Sequence, residues 1–281
     1  MTALPPDPYL DLNGRLVRSS EARISPLGEG FLYGRGLFET IKVLDGQLAF
    51  FPEHVARLRR GAAELGLGAV PAETELRVRC ARLLLANGLQ QGSVKLVAFA
   101  DAGSDGQLML LREPTYGPAV YARGYRLQTV GEGPRAGGLG ALKTLNYLRN
   151  LSAKRAAQAA GYDEPLFVAA DGAALEGATS NVFAVKDGAI RTPPADGGIL
   201  PGIARAQLLT LLRDRGAAEG RIDAEWLRGA DEVFVTNSLL GVMPVSHLDQ
   251  QRYDLDRNIV SRAAMAAWQV AERRSAESAG V

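Results

Sequence analysis

The chain has 281 residues, enough for about two domains at ~150 residues each. Apolar residues make up 47% and charged residues 22%, ordinary globular usage, so a sizeable core is expected and general disorder is not. Lys plus Arg number 32 against 31 Asp plus Glu, a net charge of +1 that argues against a broadly basic nucleic-acid face or a polybasic membrane surface.

Turn signals alternate with short apolar runs from the start of the chain. Asn13-Gly14, Asp45-Gly46, Asp171-Gly172 and Asp187-Gly188 each read as the tip of a tight hairpin. Residues 38–43 and 47–51 are therefore expected as paired strands. Pro52 then opens a helix in whose first turn its missing N–H costs nothing, with Val55, Leu58, Ala62 and Leu65 on the buried face. A second helix is expected over 73–86, ended by Asn87-Gly88, and strands over 94–100 and 107–111. Glu113-Pro114-Thr115-Tyr116-Gly117-Pro118 breaks both periodicities and marks a linker. Beyond it come a strand over 125–130, a glycine-rich loop, a helix over 146–160 ended by Gly161 and a strand over 166–170. A helix starting near Gly202, a strand over 232–235 and a C-terminal helix over 256–276 complete the order. Hairpin-paired strands with helices between them predict two α/β or α+β domains, not a doubly wound sheet. The expected division is a small N-terminal domain over 1–114, a linker over 115–121 and a larger C-terminal domain over 122–281.

Several familiar chemistries fail at this level. Gly131-Glu132-Gly133-Pro134-Arg135-Ala136 follows a strand, but its proline stands where a dinucleotide-binding turn runs and no helix opens directly after it. Cys80 is the only cysteine, which excludes an intrachain disulfide, and it reads as a buried filler of an amphipathic helix. His54 and His247 leave little room for a multi-histidine metal centre, and each reads as structural. The start, MTALPPDPYLDLNG, has no basic and apolar leader pattern, and no apolar run reaches ~18 residues. A soluble, cytoplasmic chain with no membrane or nucleic-acid partner is expected.

What remains is a set of separated features. Lys143 stands in Gly140-Ala141-Leu142-Lys143-Thr144-Leu145-Asn146-Tyr147, among small and apolar residues. Such surroundings disfavour the charged form and ready an amine for Schiff-base formation, although a lone lysine here reads equally as a solvent-facing residue at a helix start. Glu176, before an apolar strand, can keep a heterocyclic nitrogen protonated or sit exposed in a turn. Leu200-Pro201-Gly202-Ile203-Ala204-Arg205 opens a helix whose free N–H groups suit a phosphate, and Arg57 can supply a charge-assisted contact to it.

The segments Gly30-Phe31-Leu32-Tyr33-Gly34-Arg35-Gly36-Leu37-Phe38-Glu39-Thr40, His54-x-x-Arg57-Leu58, Lys143-Thr144-Leu145-Asn146-Tyr147, Glu176-Gly177-x-x-Ser180-Asn181, Ile199-Leu200-Pro201-Gly202-Ile203-x-Arg205 and Thr236-Asn237-Ser238 through Pro244-Val245 span about residue 10 to 250. In that order they resemble the class IV, fold-type IV pyridoxal-phosphate enzymes. That family includes branched-chain aminotransferases, D-amino-acid transaminases and 4-amino-4-deoxychorismate lyases. The resemblance implies a two-domain homodimer with pyridoxal 5'-phosphate in the cleft between the domains, acting on a small-molecule amine. It implies that Lys143 bonds the cofactor and shuttles protons, while Glu176 pairs with the pyridine nitrogen. Arg57, the Ile203 and Ala204 amides and Ser238 would hold the phosphate. Tyr147, Thr179 and Ser180 complete the implied cofactor set, Tyr147 standing one residue nearer the lysine than in the branched-chain enzymes. Ala204 takes a position where the family often has threonine. Tyr33, Arg35, Phe38, Leu239 and Leu240 match positions near the substrate, and Arg35 is expected to receive a substrate carboxylate. Residues 231–245 and 31–40 look most like the lyases of folate synthesis. Phe38 lacks the hydroxyl, and residues 96–101 lack the arginine, that the D-amino-acid enzymes place at the substrate. Transamination of a branched-chain or other small L-amino acid is the alternative reading.

Overall fold

Two-residue turns set the strand pairing in the structure, a computed structural model describing residues 4–114, 116–131, 141–196 and 198–278. At Asn13-Gly14, Asp45-Gly46 and Asp187-Gly188 both turn residues take positive φ, between 50° and 82°, the twist that joins antiparallel strands without splaying them. A further hairpin at Asp249-Gln250 has Asp249 at φ 52° and no glycine to announce it.

The chain divides into two compact units: Met1–Thr115 with Lys143–Asn146 and Glu272–Val281, and Tyr116–Leu142 with Tyr147–Ala271. Residues 143–146 and 272–281 thus group with the N-terminal part, unlike the boundaries expected from sequence. Backbone pairing explains the first of these. The Phe38 N–H donates to the Lys143 carbonyl and the Leu145 N–H to the Gly36 carbonyl, each at 2.9 Å.

In the first unit the elements are β1 (Tyr9–Leu12), β2 (Arg15–Arg18), α1 (Glu29–Tyr33), β3 (Gly36–Leu44), β4 (Gln47–Leu48), α2 (Phe51–Glu64), α3 (Glu73–Asn87), β5 (Gly92–Asp101) and β6 (Ser104–Arg112). They form an antiparallel sheet in the order β2-β1-β6-β5-β3-β4. The strand expected over 47–51 stops at Leu48. Phe50 turns into the left-handed region at φ 52°, and Phe51, wholly buried, already begins the helix that Pro52 continues. Helix α2 packs on β3 and α3 on β1. Cys80 is buried as expected, its thiol 3.7 Å from the Met109 sulfur and its pKa pushed up to about 12 by burial.

Two buried carboxylates tie these helices to the sheet. Asp11 accepts from Arg79 Nη2 at 2.6 Å and from Arg82 Nη2 at 3.0 Å. Glu39 accepts from Arg57 Nε at 2.7 Å and Nη2 at 2.6 Å, and its Oε2 meets His54 Nδ1 at 2.7 Å.

The second unit contains α4 (Pro118–Arg123), β7 (Tyr125–Val130), α5 (Leu148–Ala159), β8 (Glu164–Val168), β9 (Ala174–Gly177), β10 (Asn181–Lys186), β11 (Ala189–Thr192), α6 (Ile203–Leu211), β12 (Ala217–Glu219), α7 (Ala224–Arg228), β13 (Glu232–Asn237), β14 (Gly241–Leu248), β15 (Gln251–Arg252) and α8 (Ile259–Glu277). Strand order is β12-β11-β10-β13-β14-β7-β8-β9. Because β9 also pairs β10, at Glu176 and Asn181, the path from β10 to β9 closes on itself. Leu127, Leu166, Val182, Val233, Val235, Met243 and Val245 form its apolar core. The C-terminal helix starts at Ile259, later than expected, because Asp254 caps a separate tight turn at Leu255–Arg257 by accepting from the Asp256 N–H. The glycine-rich loop falls, for residues 132–136, outside the described residues. No helix among the described residues is long and apolar enough to cross a membrane. The mixed α/β architecture follows from this hairpin-dominated order, with parallel pairing at β7–β8, β7–β14 and β11–β12.

Burial alone would push the Glu39 carboxyl up, but the Arg57 charge and hydrogen bonds, joined by His54, hold it down at about 2. A depressed carboxylate contributes stability above its unfolded pKa and loses it as pH falls through the folded value. Stability is therefore expected to decline between pH 4.5 and about 2, with a contribution from this residue on the order of 3 kcal/mol. Urea unfolding over that window should show a flatter decline in Glu39→Gln; an unchanged slope contradicts the assignment.

Candidate active site

In the first unit the site is built on the first half of β3. Residues 143–145 lie along its free edge by the two backbone bonds given above, with Thr144 bridged to Leu37. This places Lys143 beside Phe38, and the lysine Nζ stands 4.4 Å from the ring centroid. Phe38, Thr40 and Lys42 alternate outward on the face opposite Glu39 and α2, and the register puts Lys95 of β5 beside Thr40. The Lys95 Nζ lies 4.2 Å from the same Phe38 ring. Lys95 is half-buried, and its pKa is lowered first by burial and then by the Arg112 charge. No carboxylate among the described residues pairs with it.

Arg57 reaches this unit's interior rather than a solvated face. Its guanidinium is 10% exposed and grips Glu39 as a two-pronged fork. His54 is buried and structural, as expected. Burial lowers its pKa, Glu39 works in the opposite direction, and the Arg57 and Lys143 charges lower it further. Arg35, expected at a substrate carboxylate, is engaged elsewhere: Nη1 with Glu29, Nε and Nη2 with the Leu65 carbonyl, and Nη2 with the Gly66 carbonyl at 2.9 Å. Tyr33 is exposed at the end of α1.

In the second unit Glu176 ends β9 and is buried. Its Oε2 accepts from the Leu200 N–H at 3.1 Å and from Asn181 Nδ2 at 3.4 Å. The same Asn181 Nδ2 donates to the Leu200 carbonyl at 3.0 Å. Asn181 Oδ1 packs so closely on Gly202 that a Cβ there would overlap it and displace the Asn181 amide. No side chain caps α6, and the Ile203 and Ala204 N–H groups have no acceptor among the described residues. A buried helix start of this kind suits an anion. Ser238 opens the turn between β13 and β14, and its hydroxyl has no partner among the described residues. Asn237 Oδ1 accepts from the Leu239 and Leu240 N–H groups, both at 2.9 Å, which shapes that turn.

The remaining expected residues of this unit are occupied by protein partners. Tyr147 donates its hydroxyl proton to the Ala178 carbonyl at 2.8 Å. Thr179 and Ser180 donate theirs to the buried Glu164 carboxylate, at 2.9 and 3.2 Å. Leu240 is buried, and its carbonyl accepts from Tyr121. Lys95, Glu39 and Asn181 are missing from the sequence-derived set of site residues. Only the β3–β5 register exposes Lys95. Glu39 and Asn181 lay inside quoted motifs, but nothing in their spacing said what they touch.

The family described as Amino-transferase class IV matches residues 36–248. The chain is 32% identical over 257 residues to a D-alanine aminotransferase of Bacillus licheniformis, covering 85% of this chain and 88% of that protein. It is 31% identical over 255 residues to an aminodeoxychorismate lyase of Bacillus subtilis, covering 86% and 87%. A branched-chain amino acid aminotransferase of T.th., solved with pyridoxamine 5'-phosphate, superposes with a TM-score of 0.86 at 26% identity, covering 95% of each chain. These relatives carry names for different reactions, and this protein belongs with them to the class IV aminotransferase family.

Proposed function

We propose that the chain is a 4-amino-4-deoxychorismate lyase, converting its substrate to 4-aminobenzoate and pyruvate in the route to folate. Pyridoxal 5'-phosphate is its cofactor, in keeping with the family, and when bound it takes up the electrons left behind as a proton leaves the carbon beside the substrate amine. The residues present fit that group. The uncapped start of α6 and the Ser238 hydroxyl offer donors for the phosphate. Glu176, its Oε2 already held by Leu200 and Asn181, is a buried carboxylate suited to a protonated ring nitrogen.

Lys143 binds the cofactor through its amine in the resting enzyme. Its backbone pairing with β3 and the Phe38 ring against its Nζ limit where that amine can go. With the cofactor in place, Lys143 would take the proton from the ring carbon that bears the substrate amine and return it to the three-carbon enol that departs as pyruvate, while the ring becomes aromatic. Tyr147 commits its hydroxyl proton to the Ala178 carbonyl and can act toward the cofactor only as an acceptor.

The observation that carries the lyase reading is Lys95. A half-buried ammonium sharing the Phe38 ring with Lys143, and lacking a carboxylate partner among the described residues, suits an anionic substrate held close to the reactive amine. Aminodeoxychorismate carries two carboxylates. With Arg35 committed to Glu29, Leu65 and Gly66, we assign one of them to Lys95. Transamination of a small amino acid is the second reading, favoured by the similarity to D-alanine aminotransferase. It uses the same lysine and differs after proton removal. A homodimer belongs to the proposal as well. Leu27, Phe31, Leu32 and Tyr33 are 76%, 64%, 51% and 71% exposed, an apolar surface around α1 that a second copy would cover.

The purified enzyme should release 4-aminobenzoate and pyruvate in equal amounts from aminodeoxychorismate, faster than it transfers amine from any member of a panel of D- and L-amino acids. Amine transfer as the dominant activity sinks the lyase reading. Lys95→Met should raise KM for aminodeoxychorismate about tenfold or more, the loss of a charge-assisted contact; an unchanged KM removes Lys95 from the substrate. In light scattering, Phe31→Glu should shift the protein from dimer to monomer, and an undisturbed dimer would place the interface elsewhere.

A further inference from the structure

We propose that His54 and Glu39 are positioning residues for the cofactor phosphate, acting through Arg57. This deepens the reading above and rests on the contact of Arg57 with the cofactor phosphate that the family resemblance implies. Arg57 Nε and Nη2 both end on Glu39, one on each carboxylate oxygen, so the guanidinium plane is fixed by two contacts of 2.7 and 2.6 Å. A cation gripped in this way meets an anion at one place and in one orientation, without first losing rotamer freedom.

A buried ion pair could be no more than a clamp between α2 and β3. The third member of the cluster argues for more. His54 is buried, and its Nε2 has no hydrogen-bond partner among the described residues. The ring's one hydrogen-bond contact among the described residues is therefore made through its other nitrogen, to Glu39. Nδ1 stands 2.7 Å from Glu39 Oε2, an ionised acceptor, so the proton sits on Nδ1 and Nε2 is left as a bare lone pair. A second proton, on Nε2, would find no acceptor and would add a charge beside Arg57 and Lys143, the two cations that face the ring, with Glu39 the facing anion. Burial, with Arg57 and Lys143, favours the neutral ring as the donor. It supplies the hydrogen bond on Oε2 that helps keep Glu39 ionised without adding a competing cation. Its donation also draws charge from the carboxylate, which leaves more of the Arg57 field for an arriving phosphate.

The test compares the dissociation constants of pyridoxal 5'-phosphate and of pyridoxal, which lacks the phosphate, on full-length apoenzyme by absorbance titration. His54→Leu should weaken pyridoxal 5'-phosphate binding about tenfold or more and leave pyridoxal within about twofold, and His54→Asn, which restores an N–H near the Nδ1 place, should recover most of the loss. Glu39→Gln, a shape-preserving change, should show the same phosphate-selective loss and serves if His54→Leu does not fold. Equal weakening of both ligands, or no recovery in His54→Asn, overturns the inference in favour of a purely structural cluster. No weakening in the His54 and Glu39 variants, while Arg57→Ala loses the phosphate preference, also overturns it and leaves the Arg57 assignment standing. An unchanged preference in Arg57→Ala removes that assignment and the inference with it.

Discussion

The site of the first unit depends on the pairing of residues 143–145 with the free edge of β3. Two backbone hydrogen bonds at 2.9 Å put a lysine far along the chain beside an aromatic residue of the N-terminal sheet. The edge is open there because β4 covers β3 only at Val43 and Leu44, at the opposite end from Gly36. The pairing runs through main-chain atoms alone, so it fixes the position of residue 143 whatever its side chain touches. The same strand sorts its two faces by alternation. Glu39 goes inward to α2, and Phe38 outward with Lys95 from the neighbouring strand.

In the second unit a single asparagine has a comparable role. Asn181 begins β10, pairs in register with Glu176, and bonds both that carboxylate and the Leu200 carbonyl. Its oxygen occupies the space that any side chain at position 202 would need. The carboxylate and the start of α6 are therefore held as one rigid piece, and moving either disturbs the other. Arg205 anchors the same helix from behind, donating to the Pro193 carbonyl at 2.6 Å. Rigid placement of this kind is what a bound ring with an anionic tail needs from its protein, since every degree of freedom left open weakens orientation.

The chain is almost equally similar to a D-alanine aminotransferase and to an aminodeoxychorismate lyase, so overall identity does not separate the two reactions. In this chain Arg35 pairs with Glu29 and with two backbone carbonyls, whereas Lys95 Nζ rests against the Phe38 ring with no carboxylate partner among the described residues.

The amino-acid sequence by itself determined what is local. Asx-Gly pairs set the hairpins, Pro52 opened its helix, and the ordered motifs were sufficient for the family, because turn chemistry and short motifs act within a few residues. It marked Lys143, Glu176 and Arg57 by residue type and surroundings. Tertiary structure decided which cations are spent and which are not. Arg35 and Lys95 are both basic, but Glu29, Leu65 and Gly66 pack against the first and the Phe38 ring against the second. It also decided that residues 143–146 join the N-terminal unit, that Glu39 lies under Arg57 and His54, and that Asn181 braces Glu176. Each of these is a contact between residues distant in sequence, and electrostatic energy depends on the separation and burial of charges in space, which no spacing along the chain encodes.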